Sequence, residues 1–159
     1  MSIFYRVDNR LVHGQIISTW MPHLRVRHFL IASDNVPNNQ LQLTMFRMAI
    51  PAEHEFSALP IKEAAQFLNE RRASGESILV LLESIRDAVS LFGAGHPFPR
   101  LNIGNVHHAP GRQQVTHAVY LGDDENSMLK SLTSRGVNVQ LQTLPGDSPV
   151  DVKHMLGAH

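Results

Sequence analysis

Apolar residues along the chain fall into two patterns, short continuous runs and stripes of helical spacing. The clearest run is residues 78–82, five aliphatic side chains in succession, as expected of a strand buried on both faces of a parallel sheet. Other runs rich in β-branched and aromatic residues predict strands at residues 2–7, 26–32, 54–57 and 100–106. A half-apolar alternation predicts an edge strand at residues 137–141, and a short antiparallel strand is expected at residues 115–121.

Stripes of helical spacing separate these runs, and each predicts an amphipathic helix. Helices are predicted at residues 15–21, 38–50, 60–72, 85–92, 125–134 and 150–156. Pro22 is expected to end the first helix. The buried side of the second is expected to consist of Leu41, Met45, Met48 and Ala49. Strands that alternate with helices indicate an open α/β fold with a mainly parallel sheet, and residues 1–159 are expected to form one domain.

Composition narrows the class of protein. The chain has 159 residues, and 14 basic residues balance 14 acidic ones, so no basic field for nucleic acid is present. The absence of cysteine excludes disulfides and thiolate chemistry and suits a cytoplasmic protein. The longest aliphatic run is too short to span a bilayer, and the N-terminus lacks the pattern of a signal peptide. Any role in transport therefore requires docking on a membrane partner.

Ten histidines are more than an average composition provides. They show none of the spacings of metal-binding motifs, and the adjacent His107 and His108 would point to opposite faces of a strand. We therefore expect no metal site and no cofactor.

One strand-to-helix connection carries the candidate chemistry. The first predicted strand is followed by the turn-forming residues Asp8 and Asn9, and His13 and Gly14 stand just before the predicted helix. Ligands of open α/β sheets bind at the carboxyl ends of the strands, and the start of a helix offers unpaired N–H groups to an anion. A histidine there, beside Arg10 and a glycine that permits close backbone approach, predicts a site that carries a phosphoryl group.

The sequence of this connection resembles a known active-site loop. RVDNRLVHGQ, residues 6–15, is similar to the R-[IV]-D-[DS]-R-L-[IV]-H-G-Q pattern of the IIB subunits of the mannose/fructose/sorbose family of bacterial sugar phosphotransferase systems. Weaker similarity follows at residues 29–36, 101–105 and 111–114. The resemblance implies a mostly parallel sheet of about seven strands with helices on both faces. It also implies that His13 is phosphorylated on Nδ1 by a phosphohistidine of a IIA partner and passes the group to a sugar held by membrane IIC/IID subunits.

The residues around His13 have alternative roles. Arg10 either pairs with phosphoryl oxygens or is a surface arginine paired to Asp8. Asp8 should not face phosphate, and it is expected to accept backbone N–H bonds or to orient Arg10. Gly14 permits close approach or serves turn geometry, and Gln15 donates to phosphate or caps the helix. Arg6, at the strand end, is either a ligand or an ordinary exposed residue.

Two further loops are expected at the same edge of the sheet. Ser84, after the strand predicted at residues 77–82, can donate to phosphate or cap the next helix. Arg112, where the family usually has lysine, can guide an acidic donor or a sugar phosphate, or be a solvated loop residue. Three departures from the family pattern stand nearby: Asn9, Glu83 and the loop at residues 107–114.

Three other interpretations compete with the phosphocarrier. The altered loop at residues 107–114 motivates a regulatory phosphohistidine protein of the same fold without sugar transport. A histidine phosphatase is disfavoured, because its Arg-His-Gly triplet reads Val12-His13-Gly14 and no general acid accompanies it. A lone histidine is also commonly a buried core residue, which the surrounding motif argues against.

Overall fold

The computed structural model describes residues 3–156. Its strands are β1 Ile3–Asp8, β2 His28–Ala32, β3 Glu55–Leu59, β4 Ile78–Leu82, β5 Arg100–Asn105, β6 Gln113–Thr116, β7 Val119–Leu121, β8 Asn138–Leu141 and β9 Val150–Asp151. A π-helical turn, Ile16–Trp20, continues into α1 Met21–Leu24. The other helices are α2 Gln40–Ala49, α3 Ile61–Arg71, α4 Ile85–Gly93, α5 Asp123–Ser134 and α6 Lys153–Leu156, with a 3-10 turn at Val36–Asn38.

Seven strands form one sheet in the order β3-β2-β4-β1-β5-β8-β9. All neighbours are parallel except β9, which pairs antiparallel with β8. β6 and β7 form a separate antiparallel ribbon. The prediction of an open, mainly parallel sheet of about seven strands is therefore confirmed. Because β1 lies between β4 and β5, the connections that follow these three strands meet at one edge of the sheet.

Helices cover both faces of the sheet, as expected. A large apolar cluster packs α3, α4 and α5 against one face, through residues such as Leu68, Leu91 and Leu132. A smaller cluster packs the π-helical turn and α2 against the other face, with Trp20 and Phe46 as its bulky members. Among residues 3–156, no helix is long and apolar enough to cross a bilayer.

The buried side of α2 was predicted wrongly. Leu41, Met45 and Met48 have 73%, 58% and 82% of their surface exposed, whereas Leu43 and Phe46 are 6% exposed. Both stripes have helical spacing, so periodicity alone does not decide between them. The stripe that carries the aromatic ring is buried, because Phe46 packs edge-on to Phe56 of β3.

The course of the chain also differs from expectation at three other places. Pro22 does not end its helix, since it lies in the first turn of α1, where a missing N–H costs little. That helix ends instead at Arg25, which has a left-handed φ of 52°. The expected strand at residues 115–121 is the β6–β7 hairpin, and the segment expected to be a helix from residue 150 begins as β9. β9 pairs with β8, so β8 is not the edge strand that its alternation predicted.

Candidate functional site

The loop after β1 is a tight turn anchored by a buried leucine. The Leu11 N–H donates to the Asp8 carbonyl at 2.9 Å, and Leu11 has a φ of 59°, unusual for a residue with a branched side chain. The Leu11 side chain is fully buried, so its packing offsets this backbone strain. A register shift between Val7 and Asp8 precedes the turn, as often happens beside functional sites. The loop thereby places His13 at the rim, with 16% of its side chain exposed.

His13 is held by Asp8 through one ring nitrogen. Its Nε2 lies 2.9 Å from Asp8 Oδ2, and Asp8 is fully buried. Burial by itself raises the pKa of the Asp8 carboxyl, but hydrogen bonds from His13 and Arg10 outweigh it and lower that pKa to about 2. An ionised carboxylate only accepts hydrogen bonds, so Nε2 carries the proton and donates it. The lone pair of His13 is then on Nδ1.

Arg10 forms the pair with Asp8 that was one of its two expected roles. Its Nε and backbone N–H each donate to Asp8 Oδ1 at 3.0 Å, and its Nη2 donates to Oδ2 at 2.9 Å. The Arg10 side chain remains 37% exposed, and Nη2 also lies 3.5 Å from Gln15 Oε1. Asp8 therefore orients Arg10 and accepts a backbone N–H, as expected. Its bond to His13 is the contact that sequence reasoning missed.

Arg6 lies beneath the site, and the expectation that it lines the site or is exposed does not hold. Its side chain is fully buried. The guanidinium donates to Asn102 Oδ1, and it donates to the carbonyls of Gln142 and Thr143 at 2.9 Å each. It also stacks 4.4 Å from the Trp20 ring centroid. Burial lowers its pKa to about 10, against the opposing effect of Asp8 at 3.9 Å.

The remaining space around Arg6 is filled by the backbone of Gly104 in β5. A Cβ at Gly104 would overlap the Arg6 guanidinium, so this strand can approach only with glycine at that position. Sequence reasoning assigned no role to Gly104, Asn102 or Trp20. The available signals were the weak family similarity at residues 101–105 and the single tryptophan of the chain, close after the loop.

The start of the helix after His13 is open to solvent. The first hydrogen bond of this helix runs from the Ile17 N–H to the His13 carbonyl at 3.2 Å. The N–H groups of Gly14 and Gln15 come before this bond, so they have no partner within the helix. No atom lies within 4 Å of the position that a Cβ at Gly14 would occupy. An anion beside His13 can therefore approach the backbone closely, where the helix dipole is positive.

Ser84 and Arg112 lie together in an adjoining pocket, but both are committed to local structure. The Ser84 hydroxyl accepts the Asp87 N–H at 3.1 Å and so caps α4. Arg112 is paired with Glu125 at 3.2 Å and donates to the His107 carbonyl at 2.9 Å. The pocket also includes Asn9, Glu83 and His107, so all three departures from the family pattern meet there.

The fold and the histidine loop indicate the class of protein, because solved structures of IIB domains of sugar phosphotransferase systems share this architecture. The IIB domain of the sorbose permease from Klebsiella pneumoniae is 25% identical and covers 99% of this chain and 97% of its own, with a TM-score of 0.89. The N-acetylgalactosamine-specific IIB component 1 of Escherichia coli is similar too, at 27% identity, with 92% of this chain and 97% of that one covered and a TM-score of 0.86.

The family is shown by the sequence as well. The model of the "PTS system sorbose subfamily IIB component" matches residues 2–159. The fructose-specific EIIB component of Bacillus subtilis is 27% identical over 97% of this chain and 94% of its own length. The chain therefore belongs to the sorbose subfamily of IIB components, which are subunits of sugar phosphotransferases.

Proposed function

We propose that this protein is the phosphocarrier of a sugar phosphotransferase system, with His13 as the residue that carries the phosphoryl group. In the first transfer, His13 Nδ1 attacks the phosphorus of a phosphohistidine on a IIA partner, and the new N–P bond forms as the donor's N–P bond breaks. In the second transfer, a sugar hydroxyl attacks the same phosphorus and an O–P bond forms as the N–P bond to His13 breaks. The electron pair of the N–P bond returns to Nδ1, and the hydroxyl proton is released to solvent, so neutral His13 is regenerated. The sugar is held by membrane IIC and IID subunits.

The hydrogen bond between His13 Nε2 and Asp8 Oδ2, at 2.9 Å, is the observation that supports this proposal most directly. It directs the ring, and it leaves the lone pair on Nδ1 for attack. Once Nδ1 carries phosphorus, the ring is positively charged, and the buried Asp8 carboxylate stabilises that charge. One side chain thus favours both the nucleophile and the phosphorylated product.

The phosphoryl oxygens are proposed to bind the backbone N–H groups at the start of the helix, at Gly14 and Gln15. The Gln15 side-chain amide and the exposed part of the Arg10 guanidinium complete this set. We assign Ser84 and Arg112 to loop structure instead, because Ser84 caps α4 and Arg112 is paired with Glu125 and the His107 carbonyl. Arg6 acts on the site only through Asp8.

The proposed partners follow from the kinds of protein to which the chain is similar. The mannose-specific EIIAB component of Escherichia coli is 22% identical over 95% of this chain, and the match covers 47% of that protein, whose name joins an A and a B component. A IIA domain is accordingly the proposed donor. The protein would work at the cytoplasmic face of the membrane, where the IIC and IID subunits present the sugar.

The proposal is tested by intact-protein mass after incubation with phosphoenolpyruvate, enzyme I, HPr and a IIA protein of this family. We expect one acid-labile phosphoryl group on the wild type and none on His13→Ala. His107→Ala, which removes an exposed histidine after β5, is the matched control and should be labelled fully. Labelling of His13→Ala at the wild-type level would refute the proposal. Release of the label to sugar by membranes containing IIC and IID separates a transport component from a regulatory protein of the same fold.

A further inference from the structure

A second cluster of ionisable residues lies at the amino-terminal edge of the sheet, the end opposite His13. His28 begins β2, Glu55 begins β3 and Glu76 precedes β4. The three residues are far apart in sequence, but parallel pairing sets His28 in register with Glu55 and with Ile78, the first residue of β4. Strand pairing, which no local motif reveals, therefore brings one imidazole and two carboxylates together.

The His28 ring is buried and held from one side. The residue is 4% exposed, its Nε2 lies 2.9 Å from Ser57 Oγ, and Phe67 packs edge-on with ring centroids 5.1 Å apart. The Ser57 hydroxyl can accept the Nε2 proton, and in that tautomer Nδ1 has a lone pair. This hydrogen bond is of the kind that metal-bound histidines make with their other ring nitrogen.

The other ring nitrogen of His28 faces two carboxylates without a hydrogen bond. Nδ1 lies 3.0 Å from Glu55 Oε2 and 3.4 Å from Glu76 Oε1. Even so, it has no hydrogen-bond partner among residues 3–156. A lone pair and two anionic oxygens in such proximity repel one another unless a cation lies between them.

The spacing of these three atoms fits a tetrahedral metal ion. Bonds of about 2.0–2.1 Å at tetrahedral angles place neighbouring ligand atoms about 3.3 Å apart. The two nitrogen–oxygen distances are close to this value, and all three ligand atoms lie within 4.8 Å of one another.

We propose that His28, Glu55 and Glu76 bind a divalent transition-metal ion of the Zn²⁺ class, with water in the fourth position. The imidazole ligand favours Zn²⁺ over Mg²⁺ and Ca²⁺, which prefer oxygen. Arg71 Nε lies 3.9 Å from the other Glu76 oxygen, so it orients that carboxylate while offsetting part of its charge. The ion joins the beginnings of β2, β3 and the segment before β4, remote from the phosphoryl site. It is therefore a structural ion that does not take part in transfer.

Titration of the tag-free protein with Zn²⁺, in competition with a chromophoric chelator, tests this site. Glu55→Gln is the informative variant, since 58% of the Glu55 side chain is exposed and the substitution should not disturb folding. We expect one equivalent bound by the wild type and at least about tenfold weaker binding by Glu55→Gln. Glu53→Gln, a neighbouring glutamate with 74% exposure, is the matched control and should bind like the wild type. Mg²⁺ should not compete.

Imidazole resonances assign the bound ion to a particular histidine. Zn²⁺ should shift the ring signals of His28, and this shift should be lost in Glu55→Gln. Two results would overturn the proposal: no Zn²⁺ binding, with His28 instead protonated between its carboxylates, or binding that is unchanged in Glu55→Gln and perturbs other histidines such as His107. The phosphorylation of His13 does not depend on either result. Failure of the metal-site proposal can therefore be distinguished from failure of the phosphocarrier proposal.

Discussion

At the scale of single residues, Asp8 links the parts of the site. One buried carboxylate contacts His13 Nε2, three donors of Arg10 and, at 3.9 Å, the guanidinium of Arg6. The surrounding donors outweigh the cost of burying its charge and keep it ionised far into the acid range. Its effect on chemistry is exerted through the ring of His13, so it is a positioning residue.

Asp8→Asn tests this positioning. The amide has nearly the shape of the carboxylate, but with its oxygen towards Arg10 its NH₂ group faces His13 Nε2 and favours the tautomer with the proton on Nδ1. The nucleophilic lone pair is then lost, and we expect phosphoryl uptake to slow by roughly a hundredfold or more. Initial rates with phosphorylated IIA measure the loss, and nitrogen-15 shifts of the ring report the tautomer. Asp124→Asn, at an exposed site in α5, should match the wild type. A variant at Asp8 that retains both the wild-type rate and tautomer would contradict the role.

The sequence located this group of residues because they are local. Asp8, Arg10 and His13 stand within one loop, so the sequence alone places them near one another, although the bond between Asp8 and His13 was not predicted. Arg6 could not be placed in the same way. Alternation along β1 indicates which face its side chain joins, but the carbonyls of residues 142 and 143 that cover that face come from the far end of the chain.

At the scale of elements, the approach of β5 to β1 depends on a glycine. Gly104 leaves room for the Arg6 guanidinium, which cannot move aside because Asn102, two carbonyls and the Trp20 ring hold it. The strand pairing, the buried charge and the orientation of Asp8 are therefore coupled through one position without a side chain.

Gly104→Ala should break this coupling. The added methyl group displaces a buried, fully engaged guanidinium, so we expect the free energy of unfolding in urea to fall by about 1–3 kcal/mol. Phosphorylation of His13 should slow as well, since Asp8 loses a neighbour. Gly93→Ala is the control, because no atom lies within 4 Å of its added Cβ and alanine favours the last turn of α4. It should be neutral or slightly stabilising, and equal effects of the two substitutions would argue against the steric account.

The buried side of helix α2 could not be predicted from the sequence pattern. Its existence was predicted correctly, but its orientation was not, because a stripe through Met45 and a stripe through Phe46 both have the spacing of a buried face. The choice between them is made by what β3 presents to the helix, namely the ring of Phe56. Periodicity depends on the sequence of the helix alone, whereas the orientation of the helix also depends on the strand against which it packs.

At the scale of the whole molecule, the fold was predictable because its signals repeat along the chain. Apolar runs alternating with helical stripes specify a parallel α/β sheet with little dependence on any one residue. The polar groups buried between elements were not predictable. The cluster at His28 and the contact of Tyr5 with His96 both join segments that are distant in sequence, and no composition or spacing encodes them.

The contact of Tyr5 with His96 connects three parts of the molecule. The Tyr5 hydroxyl of β1 lies 2.5 Å from His96 Nε2, and His96 Nδ1 lies 2.7 Å from Asn69 Oδ1 in α3. His96 is fully buried, and Arg72 Nη2, which can only donate, lies 2.9 Å from the same Nδ1, so this environment favours a neutral ring. Burial lowers the pKa of His96 to about 4, and nearby Arg72 lowers it in the same direction. Protonation therefore opposes the folded state.

The sign of the pH dependence follows from this depressed pKa. The unfolded chain binds a proton on His96 below about pH 6.5, whereas the folded protein binds it only below about pH 4. The free energy of unfolding therefore falls as the pH drops through that interval. Asp87 has the opposite effect on stability in this interval, because burial and the neighbouring Glu83 raise its pKa to about 6.

The contribution of Asp87 is the same in the wild type and in His96→Asn, so the difference in stability between the two proteins reports on His96 alone. Urea unfolding at about pH 7.5 and about pH 4.5 should show the advantage of the wild type shrinking by about 2 kcal/mol at the lower pH. An advantage that is the same at both pH values would mean that His96 is not held neutral, and that the junction of β1, α3 and the segment before β5 tolerates charge.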